Sequence, residues 1–136
     1  MTVLVDANVL CEPTRPDPDT AVIEWLARNE RELAVDPVIL GEVRYGILLL
    51  PQGKRRLKLE RWFNEVVQLI HCMDWDGETG LRWADLLAQL RTSGRPMPIK
   101  DSFIAATALA HDMPLATLNL SDFEACGIDL IDPRHY

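Results

Sequence analysis

The chain opens with the stretch VLVDANVL at residues 3–10, in which three consecutive apolar residues end at an acid, Asp6. A short apolar run without polar alternation is typical of a strand that is buried on both faces of a parallel sheet. Similar runs recur farther along the chain, at residues 33–35, 70–73, 115–118 and 129–131. The opening stretch therefore predicts a buried parallel strand with a carboxylate at its C-terminal end.

Amphipathic segments separate these runs and predict the helices. We expect helices beginning at Asp19 or Thr20 and at residues 38–50, 54–70, 78–92 and 99–110, with a proline-rich loop at 12–18. Asp36 and Pro37 have the order of an N-cap followed by the first helical residue. Strands alternating with helices predict an α/β protein with three α/β/α layers around a central parallel sheet. A chain of 136 residues is expected to form one domain, residues 1–136.

The composition excludes several classes of protein. With 48% apolar and 26% charged residues the chain has an ordinary globular composition, and no run approaches the roughly 20 apolar residues of a membrane helix. Its three cysteines show no C-x-x-C spacing and its start has no cationic segment, so we expect a cytoplasmic protein without disulfides, thiolate zinc or a signal peptide. The net charge of −7 excludes nucleic-acid binding by bulk electrostatics.

Polar side chains fall at the ends of the predicted elements. Asp6 ends the first strand, Glu42 lies one turn into the helix after the second strand, and Asp101 opens the alanine-rich helix at 99–110. Asn119 and Asp122 follow the strand that ends near residue 117. Because the carboxyl ends of parallel strands meet at one edge of a sheet, most of these side chains are expected to converge there.

Converging carboxylates indicate a cation. Two of them about 4 Å apart repel by roughly 1 kcal/mol in water and by more near a protein surface. An all-oxygen pocket without histidine or thiolate suits Mg²⁺ or Mn²⁺. Such an ion can activate a water molecule for in-line attack on phosphorus. The pattern therefore predicts phosphodiester hydrolysis.

Each acid also has a simpler interpretation. Asp6 can cap the turn after its strand, and Glu42 can be an ordinary surface acid of a helix. Asp101 can complement a helix dipole, and an S-x-x-E capping box at 121–124 would place Asp122 in a first helical turn. The joint position of these acids, more than any one of them, favours a functional site.

Four motifs in order resemble the PIN-domain ribonucleases. They are the segments at 3–10, 38–47, 100–108 and 116–123, and together they extend over nearly the whole chain. The closest likeness is to the VapC-type toxins of the FitB-like group, of which the segment at 50–56 is also typical. The resemblance implies a PIN-like fold. It also implies a Mg²⁺-dependent endoribonuclease, for which Mn²⁺ can substitute, acting as the toxin of a type II toxin–antitoxin system.

The resemblance also implies roles for individual residues. Asp6 and Asp101 would bind the metal directly and Glu42 through water, while Thr117 and Asn8 would orient ligands or waters. The fourth acidic position departs from some family members, because the amide of Asn119 stands there and leaves Asp122 as the nearest catalytic carboxylate. A lost negative charge at that position weakens a second metal site.

The resemblance further implies partners. Family members commonly form homodimers or toxin–antitoxin hetero-oligomers, in which the antitoxin lays a helix in an apolar groove and reaches the active site. Candidate RNA contacts are basic residues in loops and in the helix at 54–70: Arg15, Lys54, Arg55, Arg56, Arg95 and Lys100. A solvated helix face is the alternative interpretation of the cluster at 54–56.

Two other functions compete with this interpretation. The segment Asp6-Ala7-Asn8-Val9 approaches the D-x-D-x-[TV] motif of haloacid-dehalogenase-type phosphatases, although Asn8 stands where the second carboxylate is needed. The chain is also too short for the cap domain of such an enzyme. The second alternative is a catalytically degenerate PIN domain that only binds, an option that Asn119 leaves open.

Overall fold

Five short strands form one parallel sheet with β1 at its centre. A computed structural model of the chain describes residues 1–136. The strands are β1 (Val3–Val5), β2 (Leu33–Val35), β3 (His71–Cys72), β4 (Leu115–Ala116) and β5 (Leu130–Ile131). Their order is β3-β2-β1-β4-β5, and every neighbouring pair is parallel. The predicted α/β class with a central parallel sheet is confirmed.

Seven helices connect and flank the strands. They are α1 (Ala7–Leu10), α2 (Thr20–Arg28), α3 (Pro37–Leu48), α4 (Lys54–Glu65), α5 (Gly77–Thr92), α6 (Ile99–Ala110) and α7 (Leu120–Phe123). None of them combines the length and the apolar composition that crossing a bilayer requires. Because right-handed crossovers run in opposite directions on the two sides of β1, helices cover both faces of the sheet.

The predicted helix at 54–70 is wrong in its last turn. The regular helix α4 ends at Glu65, and a 3₁₀ turn at Val67–Leu69 leads into β3. Two consecutive β-branched residues, Val66 and Val67, disfavour helical geometry there. The tighter turn buries Val67 completely in the core.

Burial on both faces explains why β1 contains no polar residue. Leu4 and Val5 are fully buried, and Val3 is 3% exposed. The strand pairs with β2 on one side and with β4 on the other. Strand order reverses at β1, so a crevice opens beyond the carboxyl ends of β1 and β4.

A buried carboxylate joins the two helices that bear Glu42 and Asp101. Asp36, which is fully buried, caps α3 by accepting the backbone N–H of Ile39 at 2.8 Å, as the sequence predicts. Its other oxygen accepts the hydroxyl of Thr107, in α6, at 2.7 Å. This bridge fixes α3 relative to α6.

Replacing Thr107 by valine tests the importance of this bridge. Thr107→Val preserves the shape of the side chain but leaves one oxygen of Asp36 without a donor in a dry interior. We expect the free energy of unfolding to fall by about 1–3 kcal/mol, measured by urea denaturation. Thr92→Val is the control, because the hydroxyl of Thr92 bonds to Ala88 at the exposed end of α5. Equal stability of the two variants would contradict the structural role of the bridge.

Candidate active site

Asp6 is held at the point where β1 meets β4. Its backbone N–H donates to the carbonyl of Ala116 at 2.9 Å, which extends the ladder between the two strands by one residue. One carboxylate oxygen accepts the N–H of Ala7 at 2.8 Å and caps α1. The other accepts the hydroxyl of Thr117 at 2.8 Å and the amide of Asn8 at 3.4 Å. These contacts leave Asp6 only 4% exposed and fix its side chain.

The two neighbours of Asp6 are themselves held in place. The hydroxyl oxygen of Thr117 accepts the N–H of Asn119 at 3.0 Å, and the side-chain oxygen of Asn8 accepts the N–H of Leu118 at 3.2 Å. The first contact lies within the segment after β4, and the second connects that segment to α1. Thr117 and Asn8 therefore orient Asp6 from both sides of the crevice.

The electrostatics of Asp6 indicate that other acids are close. Burial raises the pKa of Asp6 to about 6, against the hydrogen bonds from Thr117 and Ala7, which favour the charged form. The negative charges of Glu42 and Asp101 raise this pKa further. All the hydrogen-bond donors to Asp6 are neutral groups, so no protein cation offsets its charge directly.

Glu42 projects from α3 toward the same region. Its side chain is 22% exposed, and one of its oxygens lies 3.0 Å from the amino nitrogen of Lys100. The other oxygen, Oε1, is buried and has no hydrogen-bond partner. A buried carboxylate oxygen without a partner is costly to maintain, so Glu42 has an unused capacity to bind a donor or a cation.

Asp101 lies in the first turn of α6, and Asp122 lies in the first turn of α7. Burial raises the pKa of Asp101, and the charge of Asp122 adds to that effect, as does the charge of Glu42. Asp122 itself is exposed. It therefore acts on the cluster through its charge, from the solvent side.

The capping box predicted at 121–124 is wrong. Asn119 is the residue that precedes α7, and its carbonyl accepts the N–H of Asp122 at 3.1 Å. The turn begins earlier than predicted because Asn119 is already positioned by its backbone bond to Thr117. Asn119 is exposed, and its amide makes no capping bond.

The donors of this cluster suit a hard cation. Asp6, Glu42 and Asp101 come from three elements and influence one another electrostatically, although they do not form a ready-made group of three metal ligands. The carboxylates, the hydroxyl and the amides offer oxygen ligands to an ion, and Glu42 has an unpartnered oxygen. Oxygen ligands around an ion that retains several waters are typical of Mg²⁺. The residues therefore fit the ion that the sequence predicts.

Two of the predicted basic residues line a cleft near the first loop. Arg15 and Arg55 line it with Lys58 and Trp62, in a volume of about 380 Å³. Arg15 also pairs at 3.3 Å with Glu12, and Arg55 donates at 3.4 Å to a loop carbonyl. The cleft is hereafter called the basic cleft.

The other predicted basic residues lie apart. Arg56 is half-buried and is engaged by Glu60 at 2.8 Å and by a backbone carbonyl. Lys54 and Arg95 are exposed, and Lys100 contacts Glu42. The structure thus assembles only part of the predicted basic set into one surface.

The role of Glu12, which lies in the segment interpreted as a loop, is not predicted by the sequence. Glu12 is 3% exposed and accepts the N–H of Asp19 at 3.0 Å. Its pairing with Arg15 holds the loop that forms one wall of the basic cleft. Their spacing of three residues was the available signal, because it places both side chains on one side of a tight turn.

An apolar groove adjoins the basic cleft. Its volume is about 220 Å³, and Pro13 and Trp62 line both cavities. The residues that line the groove come from α1, α2, β2, α4 and the turns beside them: Leu10, Pro13, Leu26, Ala27, Glu30, Leu33, Trp62, Val66, Val67 and Ile70. Val66 at its rim is 50% exposed. The groove is therefore an accessible apolar surface.

Comparison with known proteins finds relatives that agree with one another. Residues 3–126 match the PIN domain family. The chain is 36% identical over 135 residues to a VapC ribonuclease of Sinorhizobium fredii, with 96% of each sequence covered. It is 29% identical over 137 residues to toxin FitB of Neisseria gonorrhoeae, with 98% of this chain and 99% of FitB covered.

Solved structures agree with the expected PIN-like fold. A chain of FitAcB from Neisseria gonorrhoeae superposes with a TM-score of 0.90 at 28% identity, over 99% of this chain and all of that one. A toxin–antitoxin complex from Klebsiella pneumoniae superposes with a TM-score of 0.74 at 20% identity, over 97% and 98% of the two chains. The second likeness concerns the fold alone.

The raised pKa of Asp6 predicts a pH-dependent stability. Between about pH 4 and pH 6 the folded state retains a proton that the unfolded state releases, so the free energy of unfolding falls as pH rises through this window. The Asp6→Asn variant has no carboxylate at this position, so its free energy of unfolding should not fall in this window. With a chelator present it should be more stable than the parent by up to about 3 kcal/mol at pH 7 and equal to it below pH 4.

Urea denaturation across this pH range measures the difference. Asp17→Asn, at an exposed loop position, is the control and should follow the parent at every pH. A constant difference between Asp6→Asn and the parent from pH 4 to pH 7 would contradict the raised pKa.

Proposed function

The chain belongs to the PIN-domain family, and we propose that it is a Mg²⁺-dependent endoribonuclease, the toxin of a type II toxin–antitoxin system. The mutual electrostatic influence of Asp6, Glu42 and Asp101 near the carboxyl ends of β1 and β4 carries this proposal, because their accumulated negative charge favours a cation and Glu42 keeps one oxygen without a partner. The names of the VapC ribonuclease and toxin FitB relatives support RNA as substrate and a toxin role.

In this proposal the three acids hold the metal. When bound, Mg²⁺, or Mn²⁺ in its place, would supply an activated water for attack on an RNA phosphodiester and would stabilise the leaving oxygen. Thr117 and Asn8 keep the Asp6 carboxylate in one orientation, since both donate to it. Asp6 is buried, which strengthens its interaction with a cation and keeps bulk water from its oxygens.

Asp122 has the more peripheral role among the proposed catalytic acids. Its exposed carboxylate acts electrostatically on Asp101 and attracts cations to that side of the cluster. Asn119 contributes its backbone N–H to Thr117 and no charge. The neutral amide at this position favours one strongly held metal over two.

The structure weakens the phosphatase alternative. A phosphatase of the haloacid-dehalogenase type needs a proton donor at the position of Asn8, and an amide is not an acid. Both ends of that amide are also engaged, one with Asp6 and the other with the backbone of Leu118. Membership in the PIN-domain family favours the nuclease.

The apolar groove is the proposed binding surface for an antitoxin. One solved structure with this fold is described as a toxin–antitoxin complex. A groove lined by eight hydrophobic residues out of ten suits the apolar face of an amphipathic helix. Homodimers and toxin–antitoxin hetero-oligomers are the expected assemblies. The three free cysteines agree with the cytoplasm as the proposed location.

Asp101→Asn tests the catalytic proposal. Losing this carboxylate should lower the rate of RNA cleavage at least about a hundredfold, because it removes a ligand for the ion that activates the water. Cleavage of end-labelled tRNA and rRNA by partner-free protein in Mg²⁺ measures the rate, and EDTA should abolish it. Asp85→Asn changes the same charge at an exposed site on α5 and should cut at the parent rate.

Two outcomes would contradict this account. Cleavage by Asp101→Asn at the parent rate would show that the site is assigned wrongly. RNA binding by the parent without any cleavage would favour the degenerate domain that only binds.

Val66→Asp tests the proposed antitoxin groove. Expression of the parent chain alone should slow bacterial growth, and co-expression of the small gene beside its own should relieve the inhibition. A charge at the rim of the groove should weaken the complex at least about tenfold, so that the inhibition persists. Leu81→Asp is the matched control, because Leu81 is 71% exposed on α5 and away from the groove. If co-expression relieves the growth inhibition by both variants equally, the antitoxin binds outside the apolar groove.

A further inference from the structure

We propose that Lys100 is a built-in counter-ion of the acid cluster, which occupies Glu42 when no divalent cation is bound and competes with that cation for the carboxylate. The inference rests on the proposed metal-dependent function and adds a competing cation that raises the metal concentration needed to fill the site. It follows from the geometry of one ion pair and from the position of Lys100 in its helix.

The ion pair between Lys100 and Glu42 is incomplete. The amino nitrogen of Lys100 lies 3.0 Å from Oε2 of Glu42, while Oε1 is buried without any partner. A lysine amino group is a compact point charge that does not engage both oxygens in the planar manner of arginine. The ammonium therefore offsets the charge of Glu42 but leaves half of its binding capacity unused.

Lys100 is placed to influence the whole cluster. Among the ion pairs of the structure, the pair with Lys100 is the only one that involves Asp6, Glu42 or Asp101. The pKa of Lys100 is raised, first by its hydrogen bond to Glu42 and further by the charges of Asp101 and Asp6. One monovalent cation thus faces three acids.

The position of this lysine is unfavourable for the helix itself. Lys100 is the second residue of α6, where the positive end of the helix dipole disfavours a cation. Its contact with Glu42 compensates for that unfavourable placement. A lysine in this position is explained by the acids that it faces more readily than by the stability of α6.

The two partners differ in their freedom to move. The side chain of Lys100 is 55% exposed, whereas that of Glu42 is 22% exposed. A lysine on a flexible stem can turn into solvent, where its ammonium is well hydrated, while Glu42 stays in place. A divalent cation at the acids would repel the ammonium and would compete with it for the negative charge of Glu42. Lys100 is therefore the partner that a divalent cation would displace from the ion pair.

Mn²⁺ titration of metal-free protein without RNA tests the inference. Electron paramagnetic resonance of free Mn²⁺ gives the dissociation constant. Lys100→Met should bind Mn²⁺ about tenfold more tightly than the parent, because a competing ion pair and a like charge are both removed. Lys54→Met is the matched control, since it makes the same change at an exposed position without an ion pair, and its affinity should match that of the parent.

The temperature of thermal unfolding is a second measurement that tests the inference. In EDTA, Lys100→Met should unfold at a lower temperature than the parent, because Glu42 loses its only cation. Mn²⁺ should raise that temperature more for the variant than for the parent. Lys100→Gln, which keeps a polar group beside Glu42, should show the same order of affinities if Lys100→Met folds poorly.

The outcomes separate this inference from the proposed function. Equal or weaker Mn²⁺ binding by the Lys100 variants, with normal binding by the parent, would overturn the competition alone. Weaker RNA binding by these variants with unchanged Mn²⁺ affinity would likewise overturn it and make Lys100 an RNA contact. Failure of the parent to bind Mn²⁺ at all would overturn the metal-dependent function as well.

Discussion

The burial of the Asp6 carboxylate between the ends of two parallel strands is the constraint on which the site depends. The backbone of Asp6 continues the ladder of β1 with β4, which fixes the point from which its side chain projects. Neutral donors from Ala7, Thr117 and Asn8 hold the carboxylate but do not neutralise it. The fold thus keeps an unneutralised carboxylate buried at a place where a bound cation would stabilise it. Such locally unfavourable arrangements are common at functional sites.

The remaining acids are arranged around this fixed point by less rigid means. The bridge between Asp36 and Thr107 sets α3 against α6, the helices that bear Glu42 and Asp101. Glu42 pairs with the exposed side chain of Lys100, and Asp101 is half-exposed. The site therefore combines one carboxylate that is fixed by several hydrogen bonds with two that have fewer polar contacts in the protein.

The sequence is sufficient to predict the parallel sheet and the position of Asp6 at the end of β1. Short apolar runs define the strands, and the first of them ends at Asp6, which is itself buried. The periodicity of apolar residues does not predict contacts between residues that are far apart in the sequence. The pairing of Glu42 with Lys100 depends on how α3 packs near α6 and has no local signal. The end of α4 was placed too late because the two β-branched residues Val66 and Val67 were counted as part of the helix. The start of α7 was placed too late because the hydrogen bond from Asn119 to Thr117 begins the turn earlier.

The most direct test of the central claim is a crystal structure of the protein soaked in Mn²⁺, with the ion located by its anomalous scattering. The account predicts a single strong peak within coordination distance of carboxylate oxygens from both Asp6 and Asp101, with the Lys100 side chain turned away from Glu42. A peak that no oxygen of Asp6 contacts, or an empty crevice at saturating Mn²⁺, would contradict it.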